Sequence, residues 1–91
     1  MRFLSSFNES LFFAVDYYAG HDPELARRFI VAVDCAKDQI SRFPKIGRVS
    51  GTYRVYPLAG FPFTLCYEQD LNGQPVGLVL HHDKARAFTK S

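Results

Sequence analysis

The chain of 91 residues is predicted to be a single α+β domain spanning residues 1–91, with an N-terminal helical hairpin packed on a small antiparallel β-sheet. Three observations predict it. Apolar residues recur at helical spacing through the first half of the sequence and at alternate positions through the second. Proline and glycine mark the boundaries between those stretches. A chain this short buries roughly 60 to 65% of its unfolded surface, enough for one modest core and no second domain.

Taken in order, Arg2 to Ser5 is expected as a short strand. Ser6-Phe7-Asn8-Glu9 matches an S-x-x-E capping box, in which the serine accepts from the first turn and the glutamate reaches back. Leu11, Ala14, Val15 and Tyr18 then fall on one helical face, and Gly20 is placed to end that helix. Asp22-Pro23-Glu24 opens a second helix with an acidic N-cap, a proline at the first position and an acid near the positive end of the dipole. Its apolar stripe is Ala26, Phe29, Ile30, Val33, Ala36, Ile40 and Phe43, and Pro44 stops it. The join is so short that the helices must run antiparallel. Pro44 to Gly51 reads as loop. Thr52 to Leu58, Phe63 to Glu68 and Val76 to His82 read as three strands of a meander, with turns at Ala59–Pro62 and Asn72-Gly73. Phe63, Leu65 and Tyr67 share one face, and Thr64, Cys66 and Glu68 the other.

Composition excludes several classes. The N-terminus has no cleavable leader pattern, since Ser5, Ser6, Asn8 and Glu9 interrupt its apolar run. No stretch is long enough to span a bilayer, so a cytoplasmic protein without membrane contact is expected. Cys35 and Cys66 are read as reduced core thiols, and neither belongs to a metal-ligand spacing, so no metal or cofactor is expected. Net charge is only +2, which does not announce a nucleic-acid binder. Its distribution is uneven. Glu9, Asp16, Asp22, Glu24, Asp34 and Asp38 make the start acidic. From Gln39 to Tyr67 there is no acid, yet Arg42, Lys45, Arg48 and Arg54 are present, which is either a solvated loop or a patch for an anion.

Within this frame the sequence resembles the RelE/ParE superfamily, the toxin halves of type II toxin–antitoxin pairs. The likeness runs through Tyr17-Tyr18, Pro23-Glu24-Leu25-Ala26 with Phe29, and Phe43-Pro44-Lys45-Ile46-Gly47. It is strongest at Tyr53-Arg54-Val55, Gly60-Phe61-Pro62-Phe63, Tyr67 and the final strand ending in His81. The resemblance implies a small toxin silenced by a cognate antitoxin. RelE-like members cut messenger RNA on the ribosome with basic residues and no metal, whereas ParE-like members inhibit DNA gyrase. A shared fold does not choose between these.

On a ribonuclease reading the candidate catalytic residues are Arg54, His81 and Lys84. Arg54 matches an active-site arginine of RelE-like enzymes, and its fork suits phosphate oxygens. Lys84 sits near their second arginine, and Lys45 and Arg48 lie where they carry lysines. The tyrosine those enzymes use near the C-terminus is missing, and Phe88 cannot move a proton. Only one of His81 and His82 can share a face with Arg54. The ParE-like pattern is closer, because His81 and Lys84 keep its spacing, with lysine for the usual arginine. The reading therefore favours a ParE-like toxin that binds gyrase over an enzyme, with Arg48, Arg54, Lys84 and Arg86 as target-binding candidates. Arg54 is expected on the sheet face away from the core, as an anion site or, alternatively, paired with Glu68 or a helix acid. Phe12, Phe13 and Tyr17 lie outside the first helix's apolar stripe and are the antitoxin-binding candidates, with a wider core or a homodimer contact as the alternative. An antitoxin segment is expected over the helical hairpin and in its groove.

Overall fold

The structure, a computed structural model, describes residues 1–84. Its elements are β1 (Arg2–Phe3), α1 (Ser5–His21), α2 (Pro23–Arg42), β2 (Arg48–Ser50), β3 (Tyr53–Pro57), β4 (Phe63–Gln69) and β5 (Pro75–His82). The α+β class and the helical hairpin are as expected. The sheet is larger than the expected meander: five strands in the order β1-β5-β4-β3-β2. It is also mixed, because β1 runs parallel to β5, with Arg2 opposite Val76 and Phe3 opposite Gly77.

The second helix forms as its residues dictate. Asp22 Oδ1 accepts from the Glu24 N–H at 3.0 Å, and Pro23 needs no partner for its nitrogen. Ala26, Phe29, Val33, Ala36 and Ile40 face the core, spaced to keep one stripe inward. Ile30 and Phe43 do not join them. Ile30 is exposed, and Phe43 is the C-cap, turned out where Pro44 ends the helix.

The expected capping box on the first helix does not form. Leu4 is the N-cap and no side chain caps the turn. Ser6 lies inside the helix, and its hydroxyl donates to the Leu78 carbonyl at 2.6 Å. Ser10 Oγ accepts from the Leu80 N–H at 2.9 Å. Beyond the two residues of β1, α1 thus satisfies the outer edge of β5 with serine hydroxyls instead of a further strand. Beside these serines α1 buries Phe7, Ala14 and Tyr18.

β2 occupies part of the segment read as loop. It pairs antiparallel with β3, Arg48 opposite Val55 and Ser50 opposite Tyr53. Gly51 (φ 66°) makes the tight turn between them, in a left-handed conformation that suits glycine. The register assigns the two faces. Val49, Arg54 and Tyr67 lie in one row, Tyr56, Leu65 and Leu80 in the next, and Phe63 and His82 in a third, all toward the helices. Arg48, Val55, Cys66 and Val79 form a row on the outer face, beside Pro57, Thr64 and His81. A register shift between Cys66 and Tyr67 bends β4 against β5. The core lies between helices and sheet, around Phe7, Phe29, Ile40, Leu65 and Tyr67. Tyr18, Phe29, Phe61 and Phe63 pack there at ring separations of 5.1 to 6.2 Å. Aromatic pairs of this kind contribute about 0.5–1.5 kcal/mol beyond the area they bury.

Candidate functional site

Arg54 is not on the outer face. It stands opposite Tyr67 on the helix-bearing side, half-buried, and reaches across to the loop between α2 and β2. Its Nη1 donates to the carbonyls of Gly47 at 2.8 Å and Lys45 at 3.2 Å. Tyr67 holds the same loop from beneath. Its hydroxyl donates to the Pro44 carbonyl at 2.7 Å and accepts from the Gly47 N–H at 2.9 Å. Gly47 is needed for this approach, since a Cβ there would stand 2.7 Å from the Tyr67 oxygen and 3.0 Å from the Val55 carbonyl. One guanidinium and one phenol therefore clasp four consecutive residues, Pro44 to Gly47. The expected placement on the outer face is overturned by strand parity: Arg54 shares its face with Tyr56 and Leu58, both turned to the core. The ion pairs recorded among the described residues, Arg2–Asp70, Arg27–Glu24 and Arg42–Asp38, do not include Arg54. Backbone carbonyls, not the Glu68 carboxylate, receive its hydrogen bonds.

The other candidates are dispersed. His81 lies on the outer face opposite Thr64, so Arg54 and His81 are on opposite sides of the sheet. Arg48 shares the outer face with His81, but β3 and β4 separate them, which places them about 14 Å apart across three strand spacings. Lys84 is exposed just beyond β5, where its N–H donates to His82 Nδ1 at 3.1 Å. Arg86 lies outside the described residues. The three residues proposed for phosphodiester chemistry are thus not assembled around one point.

The three aromatic candidates are brought together. Phe12, Phe13 and Tyr17 are 64%, 67% and 61% exposed on α1. Phe12 and Phe13 pack edge-to-face at 5.6 Å, and Tyr17 rests on His21 at 4.5 Å and Tyr18 at 5.6 Å. Burial, and secondarily the neighbouring Tyr17, raise the Tyr18 phenol above its ordinary value. Phe13 and Tyr17 form one wall of a cleft whose other wall is Phe63, Leu80 and His82. The cleft runs between α1 and the end of β5, not between the two helices as the sequence suggested. Its floor is the edge-to-face contact of Phe63 with His82 at 5.0 Å.

Two groups went unrecognised in the sequence. One is the Tyr67–Gly47 partnership, signalled only by a glycine two residues after Lys45. The other is an exposed apolar set, Phe43, Ile46 and Val49, among the cations Arg42, Lys45 and Arg48. The cysteines also divide. Cys66 is buried on the sheet and burial pushes its thiol up to about 11, whereas Cys35 is exposed on α2 and is not the core thiol that was expected. No cluster of metal-ligating side chains occurs among the described residues, and none of their helices is long and apolar enough to cross a membrane. No protein-family model matches the chain, and no curated protein matches it.

Proposed function

We propose that this chain is the toxin of a type II toxin–antitoxin pair, ParE-like in action, which binds DNA gyrase and inhibits it until a cognate antitoxin covers α1. The family part of this reading rests on the sequence resemblance. The observation that carries the partner is the ring cluster of Phe12, Phe13 and Tyr17 beside the Phe63–His82 cleft. Rings this exposed on so small a domain leave a large apolar area in water unless a second chain covers it. An amphipathic antitoxin segment that folds as it binds would bury them. The antitoxin's removal would leave the chain free to engage its target through exposed cations such as Arg48 and Lys84.

The ribosome-dependent ribonuclease reading is less well supported. General acid–base work on a 2′-hydroxyl needs its groups around one phosphate, and Arg54 is committed to loop carbonyls on the face opposite His81. Induction of the chain in cells tests both readings. Filamentation with a DNA-damage response, intact messages and loss of supercoiling by purified gyrase is the expected result. Early arrest of translation with cleaved messages would replace the proposal with the ribonuclease. Unaffected growth would overturn both.

A further inference from the structure

Sheet edges are where a fold of this kind invites other chains, and most of this sheet's edge is closed. Along β5 the outer edge is taken first by β1 and then by the hydroxyls of Ser6 and Ser10. Past the end of β2, the exposed edge of β3 carries Pro57, which has no N–H to offer a new strand. Among the described residues nothing protects β2 in this way. The Leu58 N–H donates to the Phe63 carbonyl, so even-numbered residues of β3 turn their backbone groups to β4 and odd-numbered ones to β2. Arg48 and Ser50, opposite Val55 and Tyr53, consequently bond inward. Val49 directs its N–H and C=O away from the sheet, and its side chain is 60% exposed.

We propose that β2 is a strand-addition site for an extended peptide of a partner protein in which acidic and apolar residues alternate. The alternation follows from the two faces of the edge. On the helix side the new strand meets Val49, next to the turn that exposes Ile46 and Phe43. On the outer side it meets Arg48. Lys45 stands at the entrance to β2, in the segment from Gln39 to Tyr67 that contains no acid. Arg42 is engaged by Asp38 at 3.2 Å, which leaves Lys45 and Arg48 as the cations to be matched. Arg48 also works against a second copy of this strand, because self-pairing would gather like charges. The peptide must supply acids, whereas the charged residues of 85–91 are Arg86 and Lys90. Aliphatic Ile46 and Val49 with an open backbone edge suit a peptide better than a nucleic acid, which binds through stacked aromatic platforms. This surface is separate from the α1 rings, and the inference stands without the toxin reading.

Selection of random linear peptides displayed on phage against the full chain tests it. The expected winners are net acidic with acids at every second position. Their affinity should fall by about tenfold or more on Val49→Pro, which removes an N–H the fold itself does not use together with the valine side chain, and on Lys45→Glu with Arg48→Glu. An unchanged urea midpoint confirms that Val49→Pro folds. If it does not, Arg48→Glu combined with a peptide whose acids are replaced by lysines supplies the test, and restored binding is expected. No enrichment, winners without acids, or equal binding to Val49→Pro would overturn the proposal. Sedimentation showing a dimer abolished by Val49→Pro would replace the peptide with a second copy. Binding of single-stranded RNA lost in the charge-reversed variant, with no peptide selected, would replace it with a nucleic acid.

Discussion

Replacing Tyr67 by phenylalanine isolates what the loop clasp contributes. The ring is fully buried and phenylalanine fills nearly the same volume, so only the oxygen is lost. That oxygen makes two bonds, 2.7 Å to the Pro44 carbonyl and 2.9 Å from the Gly47 N–H. The Pro44 carbonyl is partly exposed and regains water, at a cost of about 1 kcal/mol. The Gly47 N–H is left buried without an acceptor, which costs about 1–3 kcal/mol. The expected destabilisation is about 2–4 kcal/mol, or a Tm lowered by about 10–30 °C for a domain of this size. Urea unfolding followed by far-ultraviolet circular dichroism measures it, as the chain has no tryptophan to report. Arg54→Ala frees two carbonyls at the loop surface and should cost about 1 kcal/mol. Because Tyr67 and Arg54 hold the same short loop and both bond Gly47, the double variant should lose less than the sum, with a coupling of at least about 0.5 kcal/mol. A Tyr67→Phe variant within about 0.5 kcal/mol of the parent, or strict additivity with Arg54→Ala, would refute the clasp.

Further outcomes follow from single positions. Gly47→Ala should destabilise by about 3 kcal/mol, since its Cβ would meet the buried Tyr67 ring, the Tyr67 oxygen and the Val55 carbonyl, whereas Gly20→Ala in open space on α1 should stabilise by about 0.5–1 kcal/mol; paired urea curves compare them. The Asp70 carboxyl is held below its ordinary value, chiefly by the Gln74 N–H, with the Asn72 N–H and Arg2 assisting. Its contribution is therefore present above the unfolded carboxylate value and lost as pH falls through the lower folded one. A carbon-detected NMR titration should show Asp70 ionising below the ordinary aspartate value, and Asp70→Asn should flatten that part of the acid-unfolding profile. A thiol reagent at neutral pH should modify Cys35 promptly and Cys66 only in denaturant, because Cys66 is buried with its thiol raised to about 11.

The helical half was largely legible because local signals and tertiary demands agree there. Asp22-Pro23-Glu24 sets the start of α2 whatever it packs on, and the stripe from Ala26 to Ile40 has one inward solution. Ser6 was misread because a hydroxyl one turn into a helix can serve either the helix or a neighbouring strand, and only the position of β5 decides. β2 was hidden for a similar reason. Three residues between Gly47 and Gly51 carry loop signals of their own, and their extended pairing is imposed by β3. Arg54 was placed on the wrong side since its charge was weighed ahead of its parity with Tyr56 and Leu58. The carbonyls that receive it belong to a loop whose course no spacing rule specifies. The ring cluster on α1 was visible, because Phe12, Phe13 and Tyr17 cannot share the face of Ala14 and Tyr18.

The pairing of Arg2 and Phe3 with the beginning of β5 joins residues 74 positions apart. Phe7 packs under the same junction, beside Gly77. During synthesis β1 is made well before the strand it pairs with. Closing so long a span costs loop entropy that rises with the logarithm of its length, and pairing this distant is slow. A fragment that stops short of β5 lacks the buried Val76 and Leu80 and has no finished core.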